Sequence, residues 1–123
     1  MNGTMMTDDM ISRVQTASRQ TRNTIAIDLD GVIAREHHLD FGKKTPNQKV
    51  IDRMWELQEK GWRVVIHTAR MDMDVDITRD WLIRNRVPFH HLVFNKPLAR
   101  YYVDDKNLSV EDFLDGSIEE GVQ

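Results

Sequence analysis

The sequence predicts an α/β fold, a Rossmann-like parallel sheet sandwiched by helices. Three observations predict it. Short apolar, partly β-branched runs alternate with stretches whose apolar residues recur at helical spacing, the pattern of strand–helix–strand units. The helical stretches carry their own start and stop residues, as helices in such units do. Each apolar run also ends in a polar cluster, and open parallel sheets bind their ligands beyond the carboxyl ends of the strands.

The first run is Ile25-Ala26-Ile27, followed by Asp28-Leu29-Asp30-Gly31-Val32. Residues two apart on an extended chain point the same way, so Asp28 and Asp30 face one site if the chain stays extended past Asp28. Carboxylates that close repel, and a divalent cation with oxygen ligands relieves the repulsion. The plainer alternative is a strand running into an Asp-Gly turn. A basic stretch follows, with Arg35, His37, His38, Lys43 and Lys44, loosened by Gly42. It reads either as a loop that meets an anionic substrate or as a solvated connection. The adjacent His37 and His38 lack the spacing of a zinc site.

Thr45-Pro46-Asn47-Gln48 predicts a helix start, with Thr45 as cap, Pro46 in the first turn and Gln48 completing a capping box. Val50, Met54 and Leu57, with Ile51 and Trp55 alongside, form its apolar stripe, and Lys60-Gly61 ends it. Residues 62–67 form a second strand with Val64-Val65-Ile66 as its buried centre, closing on His67-Thr68-Ala69-Arg70. A hydroxyl and a guanidinium just past a strand end are placed to hold a phosphate; the alternative for Thr68 is a turn or cap residue. The acids of residues 71–76 charge the start of the next helix and lack the glycine and terminal glutamate of a calcium loop. That helix reaches about Arg86, buries Ile77, Trp81 and Leu82 or Ile83, and is stopped by Pro88. Leu92-Val93-Phe94 is a third strand before Asn95-Lys96-Pro97, and Tyr101-Tyr102-Val103 is a fourth before Asp104-Asp105-Lys106-Asn107. Ser109 caps a short closing helix through Phe113 and Leu114.

The length, 123 residues, suits one domain. We expect it over residues 23–115, with tails at 1–22 and 116–123. Hydrophobic residues make up 40% and charged residues 30%, the composition of an ordinary soluble globule. A net charge of -3 argues against a mainly electrostatic nucleic-acid binder, though a nucleic-acid substrate stays open. The absence of cysteine removes disulfides, thiolate metal sites and cysteine nucleophiles. No apolar run approaches a membrane span, and no signal-peptide core opens the chain, so a cytoplasmic location is expected.

Taken together, the strand-end clusters resemble the motif set of the haloacid dehalogenase-like superfamily of phosphohydrolases. Asp28-Leu29-Asp30-Gly31-Val32 matches its first motif, Thr68 its second, Lys96 its third, and Asp104-Asp105 its fourth. The likeness covers roughly residues 24–114. Within the superfamily, Thr68-Ala69-Arg70, Asn95-Lys96-Pro97 and Tyr101-Tyr102-Val103-Asp104-Asp105-Lys106 resemble small phosphatase-like proteins associated with capsular polysaccharide biosynthesis. The resemblance implies a magnesium-dependent phosphatase. Asp28 would attack phosphorus and form an aspartyl-phosphate, and Asp30 would protonate the leaving oxygen and then activate water. Thr68 and Lys96 would hold the phosphoryl oxygens. Mg2+ would be held by Asp28, the backbone carbonyl of Asp30, and Asp104, with Asp105 direct or through water. Arg70 and Arg35 are expected to contact the substrate.

Many superfamily members insert a cap domain over the site. Here the intervals 32–46 and 68–96 are too short for one, so an open site is expected, with water excluded by the basic loop, a partner chain or the substrate. A small sugar phosphate is the first expectation for the substrate. A phosphorylated polynucleotide end, a phosphoprotein, or a non-catalytic phosphoryl-binding domain are the alternatives, and homo-oligomerisation stays open.

Overall fold

A computed structural model describes residues 23–35 and 43–116 of the chain. The elements run β1 (Thr24–Asp28), α1 (Gln48–Glu59), β2 (Arg63–His67), a 3-10 turn (Asp72–Asp74), α2 (Val75–Arg84), β3 (His91–Val93) and α3 (Val110–Asp115). The three strands form one parallel sheet in the order β1-β2-β3. Asp28 lies opposite His67, and His67 opposite Val93, so the carboxyl ends of all three strands are level. The predicted α/β class is therefore the observed one. No helix among the described residues is long and apolar enough to cross a membrane.

The core forms where the apolar stripes meet. Val50, Ile51, Met54 and Leu57 of α1 are buried with Val64 and Ile66 of β2, and α1 also packs on α3 through buried Phe113. Trp81 and Leu82 of α2 complete the cluster, together with Leu29 and Ile33 just after β1. On β2 the burial alternates. Val64 and Ile66 are fully enclosed, while Val65, expected in the buried centre, is half-buried. The stop of α1 is the expected one. Gly61 takes φ 94, its N–H bonds to Gln58 O, and Trp62 N bonds to Leu57 O, which satisfies the last carbonyls of the helix. Ser109 caps α3, accepting from Asp112 N at 3.0 Å.

Three local expectations are corrected. The first helix begins at Gln48 with Asn47 as the preceding residue and no side-chain cap. Residues 45–47 stay extended because they pair with the chain after β1: Arg35 N bonds to Thr45 O and Asn47 N to Ile33 O. Pro46, with no N–H, sits in the middle of that bridge, opposite Ala34, without leaving a donor unmet. In α2, Ile77 is exposed and Thr78 is buried in its place; Trp81 is buried as expected, and of Leu82 and Ile83 it is Leu82 that is buried. That helix ends at Arg84, where Arg86 at φ 56 and the bond from Val87 N to Leu82 O close it.

The third correction is the fourth strand. Among the described residues, 101–103 pair with no strand, and Val103 is completely exposed. After β3, Asn95 takes φ 64, which ends the extended run. The following stretch then bonds to itself, with the Tyr102 hydroxyl on Pro97 O and Asn107 Nδ2 on Tyr102 O. Side-chain bonds of this local kind compete with sheet pairing.

Candidate functional site

β1 ends at Asp28, and the chain turns at once. Leu29 is wholly buried, and its carbonyl accepts from Val32, Ile33 and Ala34 at 3.3, 3.0 and 2.9 Å. Gly31 carries the turn at φ 88, and its N–H bonds to Ala34 O. A side chain there would meet the steric penalty of the left-handed region, so the glycine after the second aspartate is a geometric requirement. The condition that the chain stay extended past Asp28 is thus not met. Asp30 is placed by the turn and not by the pleat of the strand. Asp28 Oδ1 accepts from Leu29 N at 2.9 Å.

Two buried cations hold Asp30. Arg70 binds it through two nitrogens, Nε to Oδ2 at 3.1 Å and Nη2 to Oδ1 at 2.8 Å, the fork geometry that guanidinium offers a carboxylate. Lys44 Nζ forms a second ion pair with Oδ1. Arg70 and Lys44 are 4% and 5% exposed, so neither charge is screened much by water. Burial pushes the Asp30 carboxyl up. The hydrogen bonds from Arg70 and Lys44, with their charges, outweigh it and hold the group below the usual carboxylate value.

Both residues are in turn anchored from α2, Arg70 through its guanidinium and Lys44 through its backbone. Arg70 Nη1 donates to Thr78 Oγ1 at 2.9 Å, and Trp81 Nε1 donates to the backbone oxygen of Lys44 at 2.9 Å. Neither anchor was singled out for a role in the sequence. The available signal was a polar Thr78 three residues before Trp81, on the stripe where Ile77 was expected.

Thr68 and Lys96 are joined by backbone bonds that continue the sheet. Thr68 N donates to Val93 O, Lys96 N to Thr68 O, and Asn95 N to Arg70 O, each at 2.9 Å. Thr68 is fully buried, and its hydroxyl accepts from Arg70 N at 3.1 Å. Lys96 is half-buried, with Nζ 4.2 Å from the centre of the Tyr102 ring. Asn95 Nδ2 also reaches Asp72 Oδ1 at 2.9 Å, tying the 3-10 turn to the loop after β3. Asp28, Asp30, Thr68 and Lys96 therefore share the carboxyl end of the sheet. Arg70 lies there too, engaged with Asp30 and Thr78 in the position where a substrate contact was expected. Arg35 and Lys43 are exposed, and His37 and His38 lie outside the described residues.

The acidic pair is elsewhere in character. Asp104 and Asp105 are exposed. Asp104 Oδ1 accepts from Lys106 N at 2.9 Å; that bond, then one with Asp105, lowers its pKa. Among the described residues no three His, Asp or Glu side chains gather in a way that could hold a metal ion. The donor set as arranged is incomplete for a divalent cation, because the acidic pair that would join Asp28 and the Asp30 carbonyl faces solvent.

No family profile matches the chain, and no curated protein matches it. Solved structures do. A crystal structure of an MCSG target from Vibrio cholerae is 24% identical, with a TM-score of 0.68 over 75% of this chain and 87% of that one. A chain in the structure of a Pnkp1/Rnl/Hen1 complex is 19% identical, with a TM-score of 0.53 over 76% of this chain and 34% of that one. At these identities the likeness shows the shared α/β fold.

Proposed function

We propose that the chain is a haloacid dehalogenase-like phosphatase that hydrolyses a phosphomonoester through an aspartyl-phosphate on Asp28. The observation that carries the reading is the gathering of Asp28, Asp30, Thr68 and Lys96 at one end of a parallel sheet, with Thr68 and Lys96 linked by a 2.9 Å backbone bond. Asp28 attacks phosphorus, and the P–O bond to the leaving oxygen breaks. The Lys96 ammonium, together with the Thr68 hydroxyl, offsets the phosphoryl charge. Asp30 serves the second half-reaction as it stands, because an ionised carboxylate can take a proton from the attacking water. In the first half the leaving oxygen needs a proton. Asp30 takes up a proton from solvent as an incoming phosphate dianion raises the cost of a second negative charge beside it, and passes that proton to the leaving oxygen.

A magnesium requirement belongs to the same proposal. It comes from the resemblance and not from the donor set, so each step above runs on the chain's own residues. A sugar phosphate remains the first substrate class, with a polynucleotide end, a phosphoprotein or simple phosphoryl binding as the alternatives. The test is Asp28→Asn, nearly isosteric but far less nucleophilic. It should lower turnover of phosphomonoesters by roughly a thousandfold or more with unchanged thermal unfolding. Near wild-type turnover in the purified variant would remove Asp28 as the nucleophile.

A further inference from the structure

One face of α2 anchors both residues whose charges hold Asp30, Arg70 by its guanidinium and Lys44 by its backbone. Thr78 and Trp81 are one turn apart on that helix, both are enclosed by the core, and each makes a polar contact that the helix itself does not need. Thr78 Oγ1 accepts from Arg70 Nη1 at 2.9 Å. Trp81 Nε1 donates to Lys44 O at 2.9 Å. Arg70 and Lys44 then converge on the same carboxylate oxygen, Oδ1 of Asp30. The two arms approach from different parts of the chain, Arg70 from the end of β2 and Lys44 from the segment before α1. Their shared support is the helix.

We propose that Thr78 and Trp81 are positioning residues for the Asp30 carboxylate, acting through Arg70 and Lys44, and that α2 thereby fixes Asp30 for proton transfer. The inference rests on the phosphatase reading for its catalytic consequence, not for the clamp itself. The physical reason is geometric. Asp30 sits on a tight turn after β1, beyond the last paired residue of the strand, so the sheet does not fix its side chain. A proton donor or base must lie within hydrogen-bond reach of the atom it serves, and a misplacement of about 1 Å can cost on the order of a hundredfold in rate. A bidentate guanidinium sets both the position and the plane of a carboxylate. It does so only if the guanidinium is itself fixed, and Thr78 fixes its third nitrogen.

Thr78→Val keeps the size of the side chain and removes the hydroxyl that accepts from Arg70 Nη1. Two measurements follow. In the first, NMR follows the exchange of the Arg70 Nε–H, which is bonded to Asp30. Thr78→Val should speed that exchange about tenfold or more, and Thr78→Ser should restore it. In the second, kcat and KM are compared for glycerol 2-phosphate, whose alkoxide leaving group needs a proton, and p-nitrophenyl phosphate, whose phenolate does not. Thr78→Val should lower kcat for the alkyl ester about 10- to 100-fold, with KM within about twofold and a smaller loss on the aryl ester. Trp81→Phe should act in the same direction by roughly 2- to 10-fold.

Equal losses on the two esters, with no rescue by Thr78→Ser, would make Thr78 a structural residue and overturn the proposal. So would unchanged exchange at Arg70. If the wild-type protein hydrolyses no phosphomonoester, the phosphatase reading falls, and the exchange measurement alone decides whether α2 holds the clamp.

Discussion

Two stretches of the chain carry the acids that the sequence marks as functional, and the fold treats them differently. Asp28 ends β1 and Asp30 follows it, and both have bonded neighbours: Leu29 N on Asp28, Arg70 and Lys44 on Asp30, and α2 anchoring Arg70 and the Lys44 backbone. Asp104 and Asp105 follow a run of similar apolar character, yet that run is exposed, and Asp104 contacts its own neighbours. The difference lies in backbone pairing. Thr68 and Lys96 are brought together because their N–H and C=O groups extend the β2–β3 ladder by a few residues. Residues 101–103 have the composition of a strand but no ladder to join, so nothing carries the acids after them to the sheet end. A motif is positioned by the pairing of the residues before it, not by its own side chains.

The largest effect that could join the two stretches is a metal requirement. Magnesium at Asp28 would need a further acidic donor, and Asp104 and Asp105 are the candidates that the resemblance supplies. Removing divalent cations with a chelator is expected to lower turnover on the order of 10²–10³-fold, with full recovery on adding Mg2+. Asp104→Asn with Asp105→Asn should reproduce that loss. Retained turnover in both measurements would keep the acidic pair outside the site and leave the contrast as described.

Asp30 gives the next largest effect, through acid stability. Its pKa is lowered in the folded chain, so the stability it contributes is fully present above the ordinary carboxylate pKa of about 4. It is lost as pH falls through the lower folded value. Asp30→Asn leaves Arg70 and Lys44 buried without their carboxylate, so at neutral pH the variant should melt several degrees below wild type. The gap between the two should narrow below about pH 4. For Asp104, which is fully exposed, Asp104→Asn should produce no comparable gap. A constant gap across the acid range for Asp30→Asn would mean that the ion pairs do not set its protonation.

The strand ends were legible because their signals are local. Apolar runs, the Gly61 stop and the Ser109 cap each depend on residues within a few positions, and the level carboxyl ends follow from parallel order. What the sequence did not disclose depends on long-range pairing. Thr45 has the chemistry of a cap, but residues 45–47 were claimed by the chain after β1. Lys44 was one member of a basic stretch that read either as a substrate-facing loop or as a solvated connection, and its burial against Asp30 reveals it as an internal ion-pair partner. Arg70 was read as facing a ligand because a guanidinium after a strand is placed to do so. The half-buried carboxylate of Asp30 lay closer.

A smaller effect separates Lys44 from its exposed neighbours. Arg35 and Lys43 are exposed, and charges of that kind attract an anion weakly and are screened by salt. Arg35→Ala with Lys43→Ala should raise KM for the physiological substrate by about 2- to 10-fold while changing kcat little, because such contacts bind ground and transition states alike. Raising the ionic strength should shrink the difference. An equal fall in kcat for a small aryl ester would place these residues with the inner set, beside Lys44.

The smallest expected effect tests the exposed stretch itself. Val103 is fully solvent-accessible, whereas Ile66 at the centre of β2 is fully enclosed. Removing side-chain atoms from Ile66 takes apolar surface out of a packed core and leaves a cavity, so Ile66→Ala should cost about 2–5 kcal/mol of unfolding free energy. Val103→Ala removes atoms that touch solvent in the folded and unfolded chain alike, and should change stability by less than about 0.5 kcal/mol. Denaturant unfolding of the two variants beside wild type measures both, with a constant slope as the check that the unfolded states are comparable. The informative failure is a loss above about 1 kcal/mol for Val103→Ala, which exposed positions rarely show. It would mean that residues 101–103 bury their apolar side chains in solution and pair as the sequence predicts. Asp104 and Asp105 would then stand just beyond a strand end, in the position from which a second acidic donor could reach a cation beside Asp28. A change of under 0.5 kcal/mol would instead tie any metal requirement to a rearrangement that occurs only when the cation or substrate binds.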